Sequence, residues 1–114
     1  MDALDALQNR TASPRLTEPA PSEQDLQEIY KAGLRAPDHG MLRPWQFLVV
    51  RGEARTKLGQ IFADNLNPGS EEEKAKMLNS PLRAPLIIVA VTEFREHPKV
   101  PAVEQVCATA AAVQ

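Results

Sequence analysis

The sequence predicts a domain of the α+β class, in which helices flank a small sheet. Two apolar runs, at residues 46–51 and 86–92, have the length and the Val, Ile, Leu and Phe content that are typical of strands. The segments around them repeat their apolar residues at helical spacing. Ten prolines among 114 residues divide the chain into short elements. With 43% hydrophobic and 25% charged residues, the chain has the composition of an ordinary globular domain that can form a core.

Charge and cysteine content argue against several classes of protein. A formal net charge of −2 does not suit a basic nucleic-acid binder. The apolar run at residues 86–91 is too short to span a membrane, and Asp2 and Asp5 stand where a secretory signal needs bases. A single cysteine, Cys107, cannot form an intrachain disulfide, and two histidines are few for a structural zinc site. We therefore expect a soluble, cytoplasmic domain without a metal.

Two helices are predicted before the first strand. Residues 2–9 form a short helix, and the prolines within residues 10–21 make that stretch irregular. Ser22 is a favourable N-cap and Asp25 follows three residues later, as in a capping box. The helix that they begin covers residues 22–34, with an apolar face of Leu26, Ile29, Tyr30, Gly33 and Leu34.

A loop, a strand and a helix are predicted next. Residues 35–44 contain two prolines and Gly40 and form the loop, which leads into a strand over residues 46–51. We interpret Trp45, just before this strand, as a core or interface anchor. Residues 53–65 form a helix whose predicted core face is Leu58, Ile61 and Phe62.

The remaining chain alternates turns and elements. After a turn at residues 67–69, Ser70 caps a charged helix that extends to about Asn79. The run at residues 86–92 is apolar on both faces, which predicts a central strand. After a loop at residues 97–101, the last helix covers residues 102–114; Val103, Val106, Ala110 and Val113 form its stripe, and Cys107 is expected to pack.

This last helix reaches Gln114 without a capping residue. Two strands are also few for a sheet with a buried central member. We therefore expect residues 1–114 to be the N-terminal portion of a single domain that continues after Gln114.

Basic residues are the main candidates for a binding site. Arg10 and Arg15 flank small hydroxyl residues, and six bases lie between residues 31 and 57. Arginine forks, hydroxyl groups and free backbone N–H groups are the donors that a phosphate monoester needs. A helix-end arginine can instead interact with the helix dipole. Asp38 would favour the charged form of His39, but His39 can instead be a turn residue that caps backbone groups. These alternatives stay open on the residues alone.

Two motifs resemble the FMN-dependent nitroreductase family, and especially its compact single-domain NAD(P)H nitroreductases. The first is the loop that contains Arg10 and ends at Arg15-Leu16. The second is Arg35-Ala-Pro-Asp-His-Gly-Met-Leu-Arg-Pro-Trp-Gln-Phe47, which matches the family pattern in length and order. The Arg83-Ala84-Pro85 and Lys99-Val100-Pro101 segments also fit. The resemblance covers essentially the whole chain but only the N-terminal part of the family's domain.

The resemblance implies a three-layer fold with a central, mostly antiparallel sheet between helices. It implies that Arg10 binds the FMN phosphate or ribityl chain and that Thr11 and Ala12 continue this contact. Arg35 and His39 would reach the flavin from the partner subunit of a homodimer. NAD(P)H would reduce the flavin, and a nitroaromatic or quinone-like acceptor would reoxidise it by a ping-pong reaction. No side chain is then required as a catalyst.

Four positions depart from the family pattern. Thr11 stands where the family has a second arginine, and Ala12 stands where it has a serine. Many relatives have Asn in place of Met41 and Gln in place of Arg43. One alternative is therefore a degenerate, non-catalytic relative that binds flavin weakly or acts as an interaction module. Another is a module for small anions or nucleotides, which accounts for the bases but not for the Pro-Trp motif.

Overall fold

The computed structural model describes residues 2–114 and has the predicted α+β architecture. Both strands and the five predicted α-helices are present, and their bounds differ from the predicted ones by at most one residue. The helices are α1 (Ala3–Gln8), α2 (Glu23–Gly33), α3 (Glu53–Asn65), α4 (Glu71–Asn79) and α5 (Ala102–Val113). The strands are β1 (Trp45–Arg51) and β2 (Leu86–Thr92), and 3-10 turns occur at His39–Met41 and Ser80–Arg83.

The two strands form an antiparallel ladder. Trp45 is opposite Thr92 and Arg51 is opposite Leu86, so every residue of one strand has a partner in the other. Within residues 2–114 the sheet contains these two strands. The side chains of β2 are partly buried on both faces over most of its length, as its apolar sequence predicts. A central position for β2 in a larger sheet stays a prediction.

A complete capping box begins α2, as predicted from its sequence. The Asp25 N–H donates to Ser22 Oγ at 3.1 Å, and the Ser22 N–H donates to Asp25 Oδ2 at 3.0 Å. The Ser22 hydroxyl also donates to Asp25 Oδ2 at 2.7 Å. This hydroxyl and then the backbone N–H lower the pKa of Asp25, because both stabilise the carboxylate. One turn later, Leu26 enters the core with 1% of its surface exposed.

The packed face of helix α3 matches the predicted one only in part. Ile61, expected in the core, is 55% exposed, while Gly59 and Ala63 are buried. The reason is a close approach to the end of α4: a Cβ atom on Gly59 would lie 2.3 Å from the carbonyl oxygen of Leu78. Leu58 and Phe62 are partly buried, as expected of neighbours of that contact. Small residues therefore define the packed side of α3.

Helix α5 also turns a different side to the core. Its predicted stripe is exposed, with Val103 at 65% and Val113 at 66%, and the buried residues are Gln105, Ala108 and Thr109. The expectation that Cys107 packs is wrong, since this residue is exposed. The helical periodicity of the sequence identifies the apolar stripe of α5. Within residues 2–114, however, α5 packs through the neighbouring, more polar side of the helix.

The buried side of α5 is held by one amide side chain. Gln105 Nε2 donates to the carbonyl oxygen of Arg95 at 2.8 Å, and Gln105 Oε1 accepts from the Arg95 N–H at 2.9 Å. The same Nε2 lies 3.3 Å from the carbonyl oxygen of Val100. These bonds satisfy backbone groups of the segment between β2 and α5 and hold this side of the helix against it.

The described chain is more open than a typical folded domain of its size. Its accessible surface is 8770 Å², whereas a folded monomer of this mass exposes roughly 6,200 Å². The radius of gyration is 16.8 Å, compared with about 13 Å for a compact domain of this length. Among residues 2–114, no helix combines the length and apolar character that crossing a bilayer requires.

Candidate functional site

The loop between α2 and β1 carries two of the predicted site residues, Arg35 and His39. It begins directly at the end of α2, where the Arg35 N–H donates to the carbonyl oxygen of Ala32 at 3.0 Å. Near its other end, the Arg43 N–H donates a hydrogen bond to Asp38 Oδ2 at 2.6 Å. The loop is therefore fixed at both ends by hydrogen bonds within a few residues.

Three residues of this loop have left-handed backbone conformations. Gly40 has φ 74°, which costs a glycine little, but Met41 at φ 51° and Arg43 at φ 49° carry side chains. The hydrogen bond from the Arg43 N–H to Asp38 Oδ2 holds Arg43 in this conformation. A Cβ atom on Gly40 would lie 3.3 Å from Val100 Cγ2, so the loop also contacts the segment before α5. Strained backbone held by its surroundings is frequent at binding sites.

His39 is paired with a residue of α5. Its Nδ1 lies 2.6 Å from Glu104 Oε2, although the two residues are 65 positions apart in the sequence. Sequence reasoning expected Asp38 to be the acid that acts on His39, but the Asp38 carboxylate accepts the Arg43 N–H instead. The partner of His39 was therefore missed, and no local pattern in the sequence identifies it.

Arg35 lines a hollow of mixed polarity on the same loop. The hollow is lined by Leu34, Arg35, Asp38, Met41, Arg43 and Trp45. Trp45 has 9% of its surface exposed, in line with the predicted anchor role. Arg35 and Arg43 make no salt bridge to any carboxylate within residues 2–114. Two guanidinium groups are thus available to an anion at this hollow.

The other predicted site residues, Arg10, Thr11 and Ala12, lie outside the loop of Arg35 and His39. Arg10 lines a shallow hollow beside α1 with Asp5, Ala6 and Asn9. Thr11 and Ala12 are exposed and have no hydrogen bond to the residues that the structure describes. The hollow beside Arg10 and the hollow beside Arg35 have no lining residue in common.

The segment after Arg10 is tethered to the rest of the molecule. The Leu16 N–H donates to the carbonyl oxygen of Arg83 at 2.7 Å. Arg83 Nε in turn donates to the carbonyl oxygen of Pro14 at 2.6 Å. These two bonds fix the segment beside the 3-10 turn that precedes β2. The site residues therefore form two groups within one chain. Arg10, Thr11 and Ala12 precede the tethered segment, whereas Arg35 and His39 lie on the loop that contacts α5 through His39.

The motifs and the fold define the class of protein. The sequence model of the Nitroreductase family matches residues 8–114, so this chain belongs to the nitroreductase family. The match includes the loop of Arg10 and the whole loop of Arg35 and His39. The recognition made from the two sequence motifs is confirmed.

Relatives agree with this assignment. The chain is 44% identical over 115 residues to "Putative NAD(P)H nitroreductase YdjA" of Escherichia coli K12. It is 38% identical over 116 residues to "Putative NAD(P)H nitroreductase" of Haemophilus influenzae. These matches cover 99% and 96% of this chain, but the chain spans only 63% of the length of either relative.

Solved structures support the fold. A nitroreductase-like family protein from Bacillus cereus superposes with a TM-score of 0.77 at 26% identity, covering 99% of this chain and 60% of that one. A nitroreductase family protein from Clostridium novyi NT gives a TM-score of 0.72 at 24% identity, with the same coverage. The predicted nitroreductase-like fold class is confirmed.

Proposed function

We propose that this chain is part of an FMN-dependent oxidoreductase, which uses NAD(P)H to reduce nitroaromatic or quinone-like compounds. Membership of the nitroreductase family and the names of the relatives support oxidoreductase chemistry. The cofactor, the acceptors and the ping-pong order come from the family resemblance and belong to the proposal. When bound, FMN supplies the redox chemistry, because its ring takes a hydride from NAD(P)H and passes it to the acceptor.

One observation carries the cofactor assignment: the arginines of both motifs are exposed and have no carboxylate partner. Arg10 and Arg35 make no ion pair within residues 2–114. A guanidinium group without a protein counter-charge is suited to a phosphate, which it binds through two parallel hydrogen bonds. The donor chemistry therefore fits FMN, and Thr11 adds a hydroxyl beside Arg10.

Each residue has a distinct role in this proposal. Arg10 binds the phosphate or ribityl chain, with Thr11 and Ala12 continuing the contact through a hydroxyl and backbone N–H groups. Arg35 and His39 place hydrogen-bond donors and positive charge against the flavin. The loss of the family serine at Ala12 removes one hydroxyl, so the hydroxyl of Thr11 is more important here.

A homodimer explains why the candidate residues form two separate groups. If the flavin lies between subunits, Arg10 of one copy and Arg35 with His39 of the other can bind the same molecule. A two-fold arrangement then produces two equivalent sites. The open surface of the described chain is consistent with such a partner, since a stable interface buries roughly 800 Å² on each side.

Flavin binding tests the proposal directly. We would titrate FMN into the purified protein, made both as this chain and with its reading frame extended past Gln114, and follow quenching of flavin fluorescence. Arg10→Ala and Arg35→Ala should each weaken binding about ten- to a hundredfold, because a charge-assisted bond to phosphate is lost. Lys57→Ala, an exposed base on α3, is the matched control and should leave the affinity unchanged.

Reduction of the bound flavin completes the test. Anaerobic addition of NADH or NADPH should bleach the flavin absorbance, and a quinone added afterwards should restore it. A protein that takes up no FMN in either form would refute the oxidoreductase proposal and favour a degenerate relative. FMN binding that is insensitive to both arginine substitutions would instead refute the assignment of the site residues.

A further inference from the structure

We infer that Glu104 is a positioning residue that fixes the ring of His39 so that Nε2 is presented to the ligand. The inference rests on the proposed function, in which His39 contacts the flavin. It starts from the short contact of 2.6 Å between His39 Nδ1 and Glu104 Oε2. A carboxylate accepts hydrogen bonds and donates none, so the proton of this contact must be on Nδ1.

The contact determines which ring nitrogen faces a ligand. With Nδ1–H donating to Glu104, the neutral ring has an unprotonated Nε2, and the charged ring has an Nε2–H donor. Within residues 2–114, His39 Nε2 has no hydrogen-bond partner. An unconstrained neutral imidazole in water favours the opposite tautomer, with the proton on Nε2. Glu104 therefore sets both the tautomer and the orientation of the ring.

The surroundings explain why Glu104, rather than the neighbouring Asp38, is the acid that contacts His39. Asp38, next to His39 in sequence, accepts the Arg43 N–H through its carboxylate. Glu104 lies in the first turn of α5, where its backbone N–H donates to the carbonyl oxygen of Pro101 at 3.1 Å. Its carboxylate is thus carried by a helix, which is a firmer support than the strained loop of His39.

The pair contributes orientation rather than stability. The side chains of His39 and Glu104 are 57% and 46% exposed, and ion pairs this accessible contribute little to folding. A histidine that binds a ligand through one nitrogen commonly donates the other N–H to a carboxylate, which fixes its tautomer. The structure shows that hydrogen-bond arrangement here, with one nitrogen engaged and the other free.

Nitrogen-15 NMR of the imidazoles tests the first half of the inference. The chain has two histidines, so a His97→Gln variant leaves only the signals of His39. In alkaline buffer we expect the wild-type ring to be mainly the Nδ1–H tautomer and Glu104→Ala to shift it toward Nε2–H. Glu104→Gln should retain the Nδ1–H tautomer, because its amide oxygen still accepts. A wild-type ring with its proton on Nε2, or one unchanged by Glu104→Ala, would overturn the inference.

A double-mutant cycle on FMN affinity tests the second half. Glu104→Ala should weaken FMN binding about three- to tenfold, the value of one hydrogen bond, and should have no further effect when His39 is already alanine. An equal loss in the two backgrounds would show that Glu104 acts elsewhere and would overturn the inference. Glu71→Ala, in the first turn of α4, is the matched control for the loss of a helix-end acid.

The two assays separate failure of the inference from failure of the proposed function. A wild-type protein that binds no FMN would refute the proposed function, and the role of Glu104 in ligand binding would fall with it. The tautomer measurement needs no flavin and decides the Glu104–His39 relation by itself. A normal FMN affinity with an unperturbed tautomer in Glu104→Ala would leave the proposed function standing and remove Glu104 from it.

Discussion

Gly59 shows how one residue without a side chain sets the distance between two helices. Its position allows the carbonyl oxygen of Leu78 to approach so closely that an added Cβ would lie 2.3 Å away. The neighbour is a backbone atom, which cannot move aside as the end of a flexible side chain can. The approach of α3 to α4 therefore depends on this glycine.

Replacement of Gly59 tests that dependence. Alanine gains about 1 kcal/mol in helix propensity, but forcing a methyl group into a packed contact costs about 1–3 kcal/mol. Because a backbone contact at 2.3 Å requires the helices to separate, we expect Gly59→Ala to lower the free energy of unfolding. Urea denaturation measures the change. Thr56→Ala, at an exposed position of α3, is the control and should stabilise by a few tenths of a kcal/mol; a similar gain in Gly59→Ala would contradict the packing described.

Individual residues also show which features of the site can be predicted from local sequence and which cannot. Arg10, Thr11, Ala12, Arg35 and His39 were proposed as site residues from two local motifs, and their roles stay predictions. Glu104 could not be connected to His39, because the pair depends on folding over 65 residues rather than on any local spacing. The predicted burial of Ile61 failed for a similar reason: periodicity identifies an apolar face but not which side a neighbouring helix will contact.

At the scale of elements, prediction was most accurate where the signal is local. The N-caps of α2 and α4 are Ser22 and Ser70, as expected, because a cap is formed within three residues. The 3-10 turn at Ser80–Arg83 was not predicted, since a single turn leaves almost no periodic pattern. Helix α5 was located correctly, but its buried side was set by the bonds from Gln105 to Arg95.

The capping box of α2 predicts a dependence of stability on pH. The Ser22 hydroxyl and backbone N–H lower the pKa of Asp25 below its ordinary value of 3.8. The unfolded chain therefore takes up this proton at a higher pH than the folded chain does. It follows that the stabilisation is fully present well above pH 3.8 and is lost as the pH falls through the lowered pKa.

Acid titration of stability in an Asp25→Asn variant checks this expectation. We expect the free energy of unfolding to fall less steeply with acid than in the wild type, because the shifted carboxylate is gone. Asp5→Asn, which changes an acid in the first turn of α1, is the control and should keep the wild-type slope. Equal slopes in the wild type and Asp25→Asn would mean that the capping box does not contribute to the acid response.

At the scale of the whole molecule, the main feature is a large accessible surface that includes exposed apolar side chains. The accessible area of 8770 Å² exceeds by roughly 2,600 Å² that of a typical folded monomer of this mass. The stripe of α5 is one such apolar surface, with Val103, Val106 and Val113 between 45% and 66% exposed. Exposed apolar patches of this kind mark interaction surfaces, and the homodimer proposed above would cover this one with a second copy.

If the proposed homodimer uses the α5 stripe, the protein should self-associate in solution. Val106→Asp places a charge in the middle of the α5 stripe, so we expect it to shift the equilibrium toward monomer by at least tenfold, because burying an unpaired charge is costly. Sedimentation velocity over a range of concentrations measures this shift. Thr56→Asp adds the same charge on α3 and should leave association unchanged. A wild-type protein that stays monomeric at all concentrations would refute the use of the stripe in a dimer.

The pairing of β1 with β2 has a consequence for how the chain acquires its structure. The two strands are joined by residues 52–85, which contain α3 and α4, so their ladder closes a long loop. Loop closure of this length is entropically costly and slow, whereas the contact between α3 and α4 is local. The helical pair should form first and shorten the effective span, after which the strands meet. Substitutions in α3 should then slow refolding, while those in the ladder should mainly accelerate unfolding, as stopped-flow measurements can show.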